Sequence, residues 1–232
     1  MNITLVGGGP DSTSPGCVAP FLEKCLALGS GRIGLFLTGD AVTTEHSAGP
    51  YLELLHAVRD RIDLLPLSGD VGDLQRFNAI IVGGGRTPDY HSALAASMPQ
   101  LRDLVGKGAP YLGFSAGAMI AAEYAILGGY TMDGIEVCAS ECSEDLEALT
   151  VQAGIGIVPW TVDVHASQAG TLTRAIAAVA SGGVSSAVAV DEDTALHLDD
   201  ARYPRVLGSG LAWWITPAGD HVGVRLQSAE PQ

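Results

Sequence analysis

The 232-residue sequence predicts a three-layer α/β protein: a mostly parallel sheet flanked by helices, with an antiparallel extension at its C-terminal end. Three observations lead there. Short apolar runs of strand length alternate with longer stretches of helical period, the pattern of strand–helix–strand units. The runs are nearly continuously apolar, as strands covered on both faces are. No internal repeat, low-complexity tract or linker interrupts the alternation, so residues 1–232 read as one domain.

Residues 2–6, 33–37, 62–65, 79–82 and 111–114 are the five early strands. Between them, residues 17–28, 48–61 and 89–105 carry apolar side chains at spacings of three and four, so each segment buries one helical face on the sheet. The third begins Thr87-Pro88-Asp89: a capping hydroxyl, a proline at the first helical position and an acid at the positive end of the helix dipole. Beyond Ala125 the period weakens. Gly128-Gly129 and Asp133-Gly134 are turn sites, and residues 140–147, with four acids and no core face, read as a surface excursion. Alternation resumes over residues 156–165, followed by a helix over 168–180 and strands near 186–190, 195–198, 206–215 and 221–226.

Composition excludes several function classes. Twelve basic against 26 acidic residues give a net charge of -14, which repels nucleic acid and anionic membrane surfaces. No uncharged apolar stretch reaches the roughly 18 residues of a membrane helix; the longest, residues 175–190, is broken by Ser181, Gly182 and Gly183. The first apolar run has no basic flank and turns to glycine at Gly7, which reads as a strand rather than a signal peptide and leads us to expect a cytoplasmic protein. Cys17, Cys25, Cys138 and Cys142 lack the spacing of a disulfide framework or a zinc knuckle, so reduced thiols and no metal are expected.

The strongest local signal is YLGFSAGAMIAA, in which a strand runs into Gly113-x-Ser115-x-Gly117 and then a small-residue helix. This is the pattern of a nucleophile elbow. Glycines flank the serine because the turn brings backbone against backbone, and Ser115 is pushed out at the carboxyl edge of the sheet. The Ala116 N–H then points where an oxyanion would develop. A serine hydroxyl needs a base, and of six histidines the best placed is His165, which ends the strand WTVDVH at the same edge. Gly83-Gly84-Gly85 follows another strand, so Gly84 or Gly85 offers a second backbone donor. The spacing of a dinucleotide fingerprint and a P-loop lysine are both missing, so no nucleotide cofactor is expected.

These residues resemble the dipeptidase E and cyanophycinase group of serine peptidases, built on the flavodoxin-like, class I glutamine amidotransferase-like fold. The resemblance runs in order through LTGDAVTTEHSAGPYLELL, IIVGGGRTPDY, YLGFSAGAMIAA, VDVHASQAGTLTRAI, AVDEDTALHL and VLGSGLAWWI. It implies Ser115 as nucleophile, His165 as base, and the N–H groups of Ala116 and of Gly84 or Gly85 as oxyanion hole. For the third member the cyanophycinase-like pattern implies Glu192, and the dipeptidase-like pattern is best matched by Asp133; Glu192 is favoured. The arginines that follow the histidine in cyanophycinase-like chains are replaced by Ala169 and Thr171, leaving Arg174, while Arg86 stands where the family usually has a neutral amide. Arg86 and Arg174 are therefore the candidate anchors for a substrate carboxylate.

The expected activity is serine-type hydrolysis of short peptides, dipeptide-like or isopeptide bonds, aspartyl bonds among them, without a cofactor, by a monomer or homodimer. Two rivals remain. An α/β-hydrolase-type esterase would use Ser115, Asp199 or Glu192, and His221. A non-catalytic small-molecule-binding homologue would keep the fold and lose the chemistry. A glutamine amidotransferase is disfavoured because position 115 is serine rather than cysteine.

Overall fold

A computed structural model describes residues 1–68, 71–199 and 203–229. Five parallel strands appear where the apolar runs predict them: β1 (Ile3–Val6), β2 (Ile33–Leu37), β3 (Ile62–Pro66), β4 (Ala79–Val82) and β5 (Tyr111–Phe114). The chain then forms β6 (Tyr124–Gly128), the short β7 (Thr131–Met132) and β8 (Ile135–Glu136), and β9 (Thr150–Ala153). The remaining strands are β10 (Thr161–Val164), β11 (Ala187–Val190), β12 (Thr194–Leu198), β13 (Arg205–Gly208), β14 (Leu211–Ala218) and β15 (His221–Ser228). The helices are α1 (Pro15–Ala27), α2 (Ala41–Ser47), α3 (Gly49–Leu54), α4 (Thr87–Leu94), α5 (Met98–Gly106), α6 (Ala116–Met119) and α7 (Leu172–Ala180).

The main sheet has the order β13-β12-β1-β5-β4-β2-β3, with β12 antiparallel to both its neighbours β1 and β13, and β1 to β5 mutually parallel. Its strands are buried on both sides, and alternate residues enter different cores. In β4, Ala79 and Ile81 pack with Val18 and Phe21 of α1, whereas Ile80 and Val82 pack with Leu101 and Val105 of α5. Right-handed crossovers explain the segregation. From β1 to β2 to β3 the chain moves one way along the sheet and lays α1, α2 and α3 on one face; from β3 back to β4 and β5 it reverses, so α4 and α5 cover the other.

Sequence and structure differ in several elements, and the helix expected over 168–180 begins only at Leu172. The single helices expected over 48–61 and 89–105 are each interrupted: His56–Arg61 is a 3₁₀ turn, and Ala95–Ser97 separates α4 from α5, whose Pro99 lacks the N–H a continuous helix needs. The strand expected over 206–215 breaks at Ser209-Gly210 into β13 and β14, which belong to different sheets. The C-terminal strands therefore do more than extend the main sheet. β14 and β15 join β10 and β11 in a second sheet of order β10-β11-β14-β15, which packs with α7 against the larger core. Trp213 and Trp214 point to opposite faces of β14, as alternation predicts: Trp213 Nε1 donates to Asp191, and Trp214 lies edge-on to Trp160. Among the described residues no helix is long and apolar enough to cross a membrane.

The antiparallel return of β12 beside β1 pairs Thr4 with His197, whose Nδ1 lies 3.0 Å from the threonine hydroxyl in a buried site. Burial pushes the imidazole down to about 4, Arg205 adds to the effect, and Asp199 opposes it. The folded chain thus refuses a proton that the unfolded chain accepts below the ordinary value of 6.5, and stability is lost as pH falls from 6.5 to about 4. The expected loss from this group is about 3 kcal/mol at most. Urea unfolding at a series of pH values should show the slope in the wild type and a flatter one in His197→Gln; parallel slopes would count against the assignment.

Candidate active site

β5 delivers Ser115. Its N–H donates to Val6 O of β1 at 3.0 Å, and its backbone sits at φ 45°, in the left-handed region that a residue with a side chain occupies only under constraint. The constraint is the close contact of the turn. A Cβ on Gly113 would lie 2.5 Å from Gly117 O, and one on Gly117 would lie 2.3 Å from Val82 O, so neither position admits a larger residue. Tyr111 Oη, buried below, donates to Gly117 O and ties the turn to the strand. α6 is only four residues long, so what it offers at the site is the Ala116 N–H, the first of the helix and without an acceptor inside it, rather than a long helix dipole.

His165 arrives from the second sheet. It directly follows β10 with φ 56°, and its N–H donates to O of Gly7, which directly follows β1. Its Nε2 lies 3.0 Å from Ser115 Oγ, and its Nδ1 lies 2.7 Å from Glu192 Oε1. Glu192 follows β11, and its N–H donates to the Gln168 side chain. The chain order serine, histidine, acid thus becomes a continuous hydrogen-bonded line in space. Of the two acids predicted for the third position, Glu192 stands beside His165, while Asp133 lies exposed in the turn between β7 and β8. His221, the histidine of the esterase reading, is exposed at the start of β15 and pairs with Asp220.

The acidic run around Glu192 is not a solvated turn. Asp191, only 4% exposed, accepts four hydrogen bonds: from Ser167 N, Ser167 Oγ and Trp213 Nε1 on one oxygen, and from Leu211 N on the other. It fastens the loop after His165 to β14 while its neighbour reaches the imidazole. Asp193 accepts from Ser14 N ahead of α1 and from Ser209 Oγ. Sequence reasoning missed both roles, because every donor is remote in the chain.

The glycine run after β4 is fixed by two tyrosines. Tyr51 Oη accepts the Gly84 N–H at 2.8 Å, and Tyr90 Oη donates to Gly84 O. This corrects one expectation: the Gly84 N–H is already committed, which leaves Gly85, at φ 150°, as the second candidate donor. A cavity of about 550 Å³ opens over these groups, lined by Ser115, His165, Gly84, Gly85, Tyr51, Asp11, His46 and Glu144 among others. His46 reaches the cavity wall from the last turn of α2.

The two arginines do not stand free. Arg174 is 2% exposed, forks onto Asp163 through Nε and Nη2 at 2.9 and 2.7 Å, and donates to Cys142 O. It is spent on holding the 140–147 segment against α7, a correction to its expected role as a substrate anchor. Arg86 pairs with Asp89 and Asp145 and donates to Glu144 O. That segment is consequently more than a surface excursion. Glu144 turns inward, accepts from Thr87 N and Thr87 Oγ1, and supplies the anion at the start of α4 that Thr87 and Asp89 were expected to provide locally. Burial raises its carboxyl above the ordinary carboxylate range, against the bonds from Thr87 and the charges of Arg174 and Arg86.

A serine, a histidine and an acid in hydrogen-bonded line, at the carboxyl edge of a sheet in a three-layer α/β protein, define a serine hydrolase. The model of peptidase family S51 matches residues 50–206, more than half of the chain and a span that contains Ser115, His165 and Glu192, and the chain belongs to that family. It is accordingly a serine-type peptidase. A solved structure described as a "Putative Peptidase E Protein" from Listeria monocytogenes EGD-e is similar to it with a TM-score of 0.61 and 15% identity, covering 90% of this chain and 98% of that one, a likeness of fold. No curated protein matches this chain.

Asp191→Asn replaces one accepting oxygen by a donor that must face Leu211 N–H or the Ser167 and Trp213 donors. The expected cost is roughly 1–3 kcal/mol of folding stability, and Asp191→Ala, which strands all four donors, should cost more. Chemical denaturation of the two variants checks the order; equal stability of all three proteins would refute it.

Proposed function

We propose that this chain hydrolyses short peptides through an acyl-enzyme on Ser115, with residues 1–232 acting as one peptidase domain. The observation that carries the reading is the 3.0 Å and 2.7 Å line from Ser115 Oγ through His165 to Glu192. In acylation His165 Nε2 takes the serine proton as Oγ attacks the scissile carbonyl, and Glu192 holds the Nδ1–H tautomer and the imidazolium that follows. The N–H groups of Ala116 and Gly85 receive the oxyanion. The imidazolium then protonates the leaving amine, and a water activated by the neutral imidazole reverses the sequence.

The cavity supports a small substrate. About 550 Å³ over Ser115 has room for a dipeptide-sized ligand rather than a folded chain. The bond cleaved is accordingly an amide of a short peptide, with either a main-chain or a side-chain carbonyl on the acyl side.

The test is cleavage of a dipeptide and isoaspartyl-peptide library read by mass spectrometry. Wild type should cleave members of the library and Ser115→Ala none, with circular dichroism unchanged. Glu192→Gln keeps the shape but removes the charge that stabilises the imidazolium, and kcat should fall by roughly two to four orders of magnitude. Turnover by Ser115→Ala would sink the mechanism.

A further inference from the structure

The same site carries a charge pattern that selects its substrate, an inference that rests on the peptidase reading. Among the described residues no lysine or arginine lines the cavity over Ser115; the charged groups that do are the carboxylates of Asp11 and Glu144, beside His46 and His165. Glu144 and His165 also line a second cavity of about 360 Å³, so both stand where the two spaces meet. The guanidiniums of that second space act on Glu144, but each is already paired with carboxylates of the protein. Arg174 is neutralised by Asp163 and Arg86 by Asp89 and Asp145.

Glu144 is also built in rather than incidental. Its backbone is left-handed at φ 57°, and so is that of Asp145 at φ 60°, two consecutive non-glycine residues that turn the segment back toward the site. Arg86 holds this turn through Glu144 O and the Asp145 carboxylate. Thr87 N–H and Oγ1–H each take one lone pair of the Glu144 carboxylate, one on each oxygen, and every carboxylate oxygen has a second to offer. A carboxylate fixed in position with acceptor capacity to spare, in a cavity that no lysine or arginine among the described residues lines, is complementary to a positive charge and repels a negative one.

We propose that the preferred substrate is a peptide carrying an ammonium or guanidinium group within one residue of the scissile bond, and that Glu144, with Asp11, receives that charge. Peptides with an acidic residue there are the poor substrates. The ammonium has two chemical sources, the free amino terminus or a basic side chain, and the substrates below separate them.

Lysyl, arginyl, leucyl and aspartyl dipeptides, each with a free and an acetylated amino end, are compared by kcat/KM. For wild type the lysyl and arginyl substrates should exceed the aspartyl ones by about tenfold or more, and added salt should narrow the gap. If the amino terminus is the group received, acetylation removes activity from every substrate alike; if the side chain is, the lysyl and arginyl preference survives acetylation. Glu144→Gln keeps an acceptor for Thr87 and should lower the cationic-to-acidic ratio at least about fivefold. Asp11→Asn, an exposed change without folding consequence, should lower the same ratio less and serves if Glu144→Gln fails to fold. Ser115-dependent cleavage with an aspartyl preference, or with ratios unmoved by both variants, overturns this inference and leaves the peptidase reading standing. Silence of wild type toward every substrate overturns both.

Discussion

The contact on which the site depends is the approach of Gly7 to the backbone of Asp191. A Cβ at Gly7 would lie 2.2 Å from Asp191 O, so the end of β1 and the end of β11 touch at a distance only glycine permits. The His165 N–H closes the same seam by donating to Gly7 O. The two sheets thereby meet backbone to backbone beside the residues that form the Ser115–His165–Glu192 line. Ser115 belongs to the first sheet, His165 and Glu192 to the second. A hydrogen-bonded line of 3.0 and 2.7 Å between side chains from two sheets survives only if the sheets cannot slide, and backbone-on-backbone contact is the stiffest means of preventing it.

How much of this the sequence discloses follows from the range of each interaction. Ser115 between Gly113 and Gly117, after an apolar run and before small residues, is a local pattern, and so is His165 at the end of WTVDVH. The five parallel strands are local as well, since each is a short, doubly buried apolar run. By contrast the second sheet is invisible to periodicity, because strands of either sheet alternate alike, and the break at Ser209-Gly210 inside a long apolar stretch looks like a single strand with a weak spot. Gly7 reads as one of three glycines in a row until Asp191 is placed against it.

The acidic residues show the same limit in another form. Asp191-Glu192-Asp193 has the composition of a solvated turn, yet Asp191 gathers donors from Ser167, Leu211 and Trp213, and Asp193 receives Ser14 N ahead of α1. A carboxylate's role depends on which donors surround it, and none of these lies within 15 positions in the sequence except through folding. The arginines err the opposite way. Both were candidate anchors because a guanidinium suits a carboxylate, and both found their carboxylates inside the protein, in Asp163, Asp145 and Asp89.

The backbone carries the cost of this arrangement. Among the described residues, the non-glycine positions with left-handed φ are Ser115, Asp133, Glu144, Asp145, His165 and Asp193. Asp133 merely completes a turn, but the other five are Ser115, the histidine hydrogen-bonded to it, the two residues that turn the 140–147 segment inward, and the neighbour of Glu192. Each such residue costs on the order of 1–3 kcal/mol and persists only where its surroundings over-determine it. Here they do: Ser115 is held by Val6 O and the glycine contacts, His165 by Gly7 O, Glu144 by Arg86 and Thr87, and Asp193 by Ser14 and Ser209. Strain so distributed means that none of these side chains can be repositioned alone. The stability of the two cores is what allows these five residues to sit where an unconstrained chain would not put them.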